Sequence, residues 1–390
     1  MHDIDPFFKR MGEENAFAVL ARATALAAEG RDIVNLGIGQ PDFPTPEHIV
    51  EAAVRALREG AHGYTPANGL VATREAVSRR IHAMTGQAVS PEAIMITPGG
   101  KPAMFAAILM FGGPGAQIVY PDPGFPIYRS MIEATGATPV PLPMRAENGF
   151  AVNADELAAL ITDRTRLVIV NSPGNPTGGV TPRAEIERLV GVLERHPDVA
   201  ILSDEIYDLM VYDGVAHTSL FEFSALRERL VVLNGWSKTW AMTGWRLGWS
   251  VWPEPLCDAV RKLAVNCWSC VNAAAQHAGI AAIDGPQDDV ETMLAAFDAR
   301  RRFVVERLNA IEGVTCATPK GAFYAFPDIS ATGWKSKDLA NALLEEAGVA
   351  LIGGPDFGVH GEGFVRVSYA NSLENIERAL DRVEAFLTRS

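Results

Sequence analysis

This chain is short of the features that tie a protein to a membrane, a nucleic acid or an oxidising compartment. No apolar run reaches the ~18 residues of a membrane span. The first residues, Met-His-Asp-Ile-Asp-Pro, lack a basic stretch followed by an apolar core, so no secretory signal is expected and cytoplasm is the default. Positive charge is in deficit: 34 Lys and Arg stand against 47 Asp and Glu, a net −13. That balance argues against nucleic acid and against an anionic membrane surface, both of which need a basic footprint. Cysteine is scarce, at four in 390 residues. Cys267-Trp-Ser-Cys270 has CxxC spacing, but no second pair and no histidines at ligand spacing accompany it, so no metal is expected and the thiols read as reduced. No G-x-G-x-x-G follows a strand, which speaks against a nucleotide-binding Rossmann protein. No internal repeat or low-complexity linker is visible.

The chain does have apolar runs of strand length, at 93–97, 117–120, 167–171, 200–204, 230–233 and 247–251. Several are continuous, as expected of strands buried on both faces of a mostly parallel sheet. Helical patterns lie between them. Thr181-Pro-Arg-Ala-Glu185 predicts a helix start with Thr181 as N-cap and Pro182 at the first helical position. Further helices are expected over residues 15–29, stopped by Gly30, over about 287–311, and over 373–387. The expected fold class is α/β, with a three-layer large domain at 46–285. Both chain ends, 1–45 and 286–390, are expected to form a smaller domain.

The most informative stretch is Asn234-Gly-Trp-Ser-Lys-Thr-Trp-Ala-Met-Thr-Gly-Trp-Arg-Leu-Gly-Trp249. Lys238 stands among large rings and small residues, and five of the seven tryptophans fall between Trp236 and Trp252. A lysine in such surroundings loses solvation, which favours its neutral, nucleophilic amine. That is the form needed to attack a carbonyl and form a Schiff base. Taken alone, the same lysine also fits a surface residue beside a core strand.

Six other motifs accompany it. They are Gly37-Ile-Gly-Gln-Pro-Asp42, Gly63-Tyr-Thr-Pro66, Thr97-Pro-Gly-Gly-Lys101, Asn171-Ser-Pro-Gly-Asn-Pro-Thr-Gly178, Ser203-Asp-Glu-Ile-Tyr207 and Phe364-Val-Arg-Val-Ser-Tyr369. Together, and in this order, they resemble the class I and II aminotransferases, the fold type I enzymes that use pyridoxal 5'-phosphate (PLP). The resemblance spans about residues 35–369. It implies that fold, with a smaller α+β domain, and a ping-pong transfer of an amino group through a Lys238 Schiff base.

Residue by residue, Gly99, Gly100 and Lys101 form a strand-to-helix turn suited to a phosphate, since backbone N–H groups and a helix N-terminus converge there. A plain connecting loop is the other reading. Arg246 offers a fork of donors to an anion. The resemblance adds Ser237 and, from a neighbouring subunit, Tyr64, and so implies a homodimer. Relatives often carry a serine three residues before the lysine, where this chain has Gly235. Asp204 ends an apolar run, where a carboxylate points into the crevice of a parallel sheet; the resemblance pairs it with the pyridine nitrogen. A helix cap is the alternative. Tyr207 and Asn175 match partners of the cofactor's phenolic oxygen. Phe125 matches the stacking ring, and equally suits a core. Arg366, in an apolar stretch, needs a partner; a substrate carboxylate or a structural acid would serve. Gly39 and Asn175 complete that clamp by resemblance.

Two rival activities stand beside transamination. A C–S β-lyase on the same fold would resemble the chain less over Thr243-Gly-Trp-Arg-Leu-Gly248. A PLP-sensing regulator would need a DNA-binding domain where only some 35 residues precede the first motif. The substrates are expected to be an amino acid and a 2-oxo acid, 2-oxoglutarate by resemblance. No base occurs in Ala103–Leu109 or Asn266–Asn272 to hold a second carboxylate, which favours neutral or aromatic donors over aspartate. Lys101 is the one candidate base, unless it faces the phosphate.

Overall fold

The computed structural model describes residues 3–12 and 14–389; residues 1, 2, 13 and 390, which fall within the expected smaller domain, lie outside the described residues. Its centre is a seven-stranded sheet. The strands are β1 (Ile94–Thr97), β2 (Gln117–Asp122), β3 (Thr138–Pro143), β4 (Thr165–Asn171), β5 (Ala200–Asp204), β6 (Leu230–Gly235) and β7 (Gly248–Val251), in spatial order β1-β7-β6-β5-β4-β2-β3. The run β6-β5-β4-β2-β3 is parallel, while β7 is antiparallel to both β6 and β1.

Alternate residues of each strand serve opposite faces. Ile94, Ile96, Val168, Val170 and Val232 pack with Ile49, Val77, Leu189 and Trp236. Met95, Leu167, Ile169, Val231 and Leu233 pack with Ala103, Ile108, Ile132 and Val260 on the other side. Helices cover both faces, which is why the middle of these strands is apolar on both sides. The fold is the expected α/β three-layer class with a mostly parallel sheet.

β3 was not anticipated. Its Pro139, Pro141 and Pro143 break the apolar signal, and they are tolerated because β3 lies at the edge, where a missing N–H leaves no neighbour unpaired. Thr181 does not cap the following helix. That helix runs Arg183–Glu194 from Pro182 without a side-chain cap, and the Thr181 hydroxyl instead accepts the buried Val152 N–H at 3.1 Å. Pro102 is the second residue of its helix, Lys101–Phe111, where a missing N–H again costs nothing.

A separate apolar core joins the two ends of the chain. Val34 and Leu36 pack with Phe297, Val304 and Leu308 of the helix Asp288–Ala310, with Val365 and Val367, and with Ile376 and Leu380 of the helix Leu373–Leu387. Val34–Asn35 pairs in parallel with Val349–Ala350, and a three-stranded antiparallel sheet is built from Ile352–Gly353, Val365–Ser368 and Tyr324–Ala325. These small sheets bring Arg366 and Gly37 over the large sheet's C-terminal edge. No described helix is long and apolar enough to cross a membrane.

Candidate active site

Parallel strands all end at one edge, so residues just beyond them gather there. β1 leads into Gly99, Gly100 and Lys101, β2 into Phe125, β4 into Asn175, β5 ends on Asp204, and β6 leads into Ser237 and Lys238. β7 runs the other way and starts just after Arg246, so that residue arrives at the same edge. A cavity of about 470 Å³ opens here. Gly100, Lys101, Phe125, Asn175, Asp204, Tyr207, Ser237, Lys238 and Arg246 line it, and the smaller core contributes Gly39 and Arg366. That volume suits a small cofactor with a substrate.

The Gly99 turn is built around the arginine. Gly99 has φ +85°, and a Cβ there would lie 2.2 Å from Nη2 of Arg246. Arg246 itself is left-handed at φ 53°, and its Nη1 donates to the Thr243 carbonyl at 2.8 Å. The glycine therefore admits a guanidinium flush against a turn at the mouth of a helix, a setting made for an anion. Gly235 has a packing reason of its own. A Cβ at that position would sit 3.0 Å from Cα of Gly248, which disfavours the serine common in relatives.

Lys238 donates to the carbonyl of Gly39 at 2.5 Å. Its neighbouring rings are Phe323 and Tyr207, with centroids 5.6 and 5.9 Å from Nζ. The tryptophans of its segment pack elsewhere: Trp236, Trp240, Trp249 and Trp252 lie in the apolar cores, Trp249 with its indole N–H unpartnered among the described residues. Trp236 bonds the Gly279 carbonyl and Trp252 the Ser250 hydroxyl. Burial, with the positive charge of Arg366 second, lowers the lysine pKa to about 8.

Asp204 is buried, and desolvation pushes its carboxyl up to about 6. Two bonds oppose that shift: the Tyr128 hydroxyl donates to Oδ2 at 2.6 Å, and the Ile206 N–H to Oδ1 at 3.3 Å. The Tyr207 hydroxyl is paired with that of Tyr324 at 2.8 Å.

Arg366 is buried with no acid partner among the described residues. Nη1 donates to Oδ1 of Asn175 at 2.9 Å and Nη2 to the Gly37 carbonyl at 2.5 Å, while Nε has no hydrogen-bond partner there. Tyr324 and Phe357 sandwich the guanidinium at 4.6 and 4.7 Å. A buried cation left without an anion is costly, and an incoming carboxylate supplies one. Phe125 stands edge-on to Tyr128 at 5.8 Å. Lys101 is bonded to Glu14 at 2.7 Å. Tyr64 is 94% exposed. All four cysteines are free thiols; Cys257 and Cys316 are buried and Cys267 is exposed.

The sequence model of the family "Aminotransferase class I and II" matches residues 31–383. The chain belongs to the class I and II aminotransferases. Among similar proteins are the aspartate aminotransferase of Geobacillus stearothermophilus, 38% identical over 95% of both chains, and the aromatic-amino-acid aminotransferase 2 of Thermococcus litoralis, 38% identical over 91% of this chain and 92% of that one. The aspartate aminotransferase of Thermus thermophilus solved with maleate superposes with a TM-score of 0.94 at 35% identity, covering 99% of this chain and 100% of the other. The protein is thus an aminotransferase, and enzymes of its family use PLP.

The residues fit that cofactor on their own geometry. The Gly99 turn is a cradle that a Cβ would fill, and a buried carboxylate faces the same cavity as a lysine of lowered pKa. Among the cavity residues that escaped the sequence reading are Glu14, Tyr128 and Tyr324. Tyr128 carried a weak signal, being one helical turn beyond Phe125. Nothing in the local pattern marks the other two, which arrive from the chain ends.

Proposed function

We propose that this aminotransferase moves an amino group from a neutral or aromatic L-amino acid to a 2-oxo acid, in two half-reactions centred on Lys238. The convergence of Lys238, Asp204 and the unpaired Arg366 on one cavity supports this most directly. Gly99, Gly100, Arg246 and Ser237 would hold the PLP phosphate, Asp204 its ring nitrogen, Tyr207 and Asn175 its phenolic oxygen, and Phe125 one face of its ring. When bound, PLP supplies an aldehyde that carries the amino group and a ring that takes up the electrons released at the donor Cα.

The protein's own part follows from the geometry. Arg366 binds the α-carboxylate as a bidentate fork, with Asn175 and the Gly37 carbonyl fixing its angle, while the Gly39 carbonyl faces Lys238 instead. That orients the donor Cα–H towards Lys238. With a pKa near 8, about a tenth of free Lys238 is neutral at pH 7, against roughly one part in three thousand for an unperturbed lysine. Lys238 can therefore serve first as nucleophile and then as the base that takes the α-proton. Asp204, ionised above about pH 6, holds the charge opposite. Tyr207 and Phe323 flank the amine, and Tyr324 lines the same cavity.

The division into residues 46–285 and the two chain ends follows the two apolar cores in the main, with Phe326, Ile352 and Phe357 crossing into one and Tyr207, Met210 and Tyr212 into the other, and the exposed Tyr64 fits a homodimer in which it reaches the partner's cofactor. Cytoplasm is the proposed compartment. Relatives named for aspartate and for aromatic amino acids stand at equal identity, so donor choice rests on the cavity. The deciding assay offers twenty amino acids with 2-oxoglutarate and with pyruvate. The reading predicts that aromatic or neutral donors lead in kcat/KM. A lead for aspartate of about tenfold or more, some 1.4 kcal/mol, would contradict the preference.

A further inference from the structure

Lys101 follows the cradle glycines, yet its ammonium is turned to the N-terminal segment. Glu14 Oε2 holds it at 2.7 Å. Glu14 itself is largely covered, its side chain 18% exposed, and it forms part of the cavity wall. It is held there by its neighbour: the Asn15 side chain donates to Asp356 at 2.7 Å, tying the start of the helix Asn15–Ala28 to the smaller core. Two rings flank the pair, since Lys101 Nζ lies 5.4 Å from the Phe125 centroid and 5.7 Å from that of Phe17. This end of the cavity therefore carries a cation that is already neutralised, set between aromatic faces. Arg366 carries a cation that is not.

We infer that Glu14 is a specificity-determining residue: by occupying the Lys101 ammonium it makes the side-chain end of the cavity neutral and ring-lined, and so favours donors with one carboxylate over dicarboxylates. The inference rests on the transamination reading for the identity of the donor, but not for the ion pair. A dicarboxylate entering this cavity must exchange Glu14 for its own second carboxylate at Lys101, and the exchange gains nothing. It also places two carboxylates beside each other. An aromatic side chain has no such conflict and finds Phe17 at this end of the cavity.

The test is equilibrium binding of two non-reacting probes to the cofactor-loaded protein, maleate with two carboxylates and 3-phenylpropionate with one. The readout is the ratio of the Kd for 3-phenylpropionate to the Kd for maleate. Glu14→Gln should raise this ratio by about fivefold or more, the scale of one partly exposed ion pair gained by the ligand. The double variant Glu14→Gln with Lys101→Met should lose that gain. An unchanged ratio in Glu14→Gln, or a rise that survives removal of Lys101, overturns the assignment. Because neither probe is turned over, the result stands apart from the donor screen: failure of every amino acid there would remove the functional reading and leave this measurement intact.

Discussion

The Tyr128 hydroxyl donates to Oδ2 of Asp204 at 2.6 Å, and this bond decides how readily a buried carboxylate keeps its charge. Burial alone raises the Asp204 pKa, and the bond holds it down, with about 6 as the outcome. Tyr128→Phe removes the donor, so the carboxyl should titrate higher by about one unit, the worth of one hydrogen bond to a charged group. Activity that needs ionised Asp204 then loses its acid side first. The kcat–pH profile should keep its alkaline limb while its acid limb moves up. An acid limb that stays in place would separate Tyr128 from the chemistry.

Lys238 gives a stability prediction with a definite sign. Its folded pKa of about 8 lies below the ordinary 10.5, so between those values the unfolded chain binds more protons. Stability contributed by this site therefore rises with pH through that window, and below pH 8 the destabilisation is complete. In the cofactor-free protein, Lys238→Met should raise Tm most at pH 7 to 8, and the gain should shrink towards pH 10.5. Comparing the two proteins at each pH cancels the other titrations. A gain that is constant with pH would mean the lysine is not held in a desolvated site.

Arg366 is the expected anchor of the substrate carboxylate. Arg366→Lys keeps the charge but not the fork, and leaves Asn175 and the Gly37 carbonyl without their planar partner. KM for every donor should rise about 30-fold or more, corresponding to about 2 kcal/mol or more. The visible absorbance of the bound cofactor should persist. Loss of that absorbance instead would assign Arg366 to the cofactor.

Gly99 and Gly100 make a contrasting pair. A Cβ at Gly99 meets Arg246 Nη2 at 2.2 Å on a backbone of φ +85°, whereas one at Gly100 meets only a Leu233 methyl at 3.4 Å. Gly99→Ala should therefore weaken PLP binding at least about tenfold more than Gly100→Ala, since it displaces Arg246, the cation proposed to hold the phosphate, as well as straining the turn. Titration of the cofactor-free variants with PLP measures both. Equal losses would place the phosphate elsewhere.

Much of this arrangement was legible in the sequence because burial on both faces leaves a plain mark. β4 and β5 show as the apolar stretches Leu167–Val170 and Ala200–Leu202, and the helix ending at Ala28 is followed by the Gly30 that marks its stop. The residues at the strand ends were legible too, since charged or glycine positions interrupt those runs. What escaped depends on neighbours far along the chain. The prolines of β3 make sense only once the strand is known to be an edge, and the Thr181 hydroxyl is claimed by Val152, 29 residues away. The tryptophans of the lysine segment looked like the amine's surroundings, but Trp236, Trp240, Trp249 and Trp252 pack into the apolar cores instead. The rings that do meet Lys238 come from Tyr207 and Phe323. Glu14 and Tyr324 enter the cavity from the chain ends, and no local pattern announces them.

Reduction of the cofactor-loaded protein with borohydride, followed by peptide mapping, tests the centre of this account. The pyridoxyl group should be found on a single peptide, attached to Lys238. Its recovery on Lys101 or any other residue, or its absence, would contradict the account.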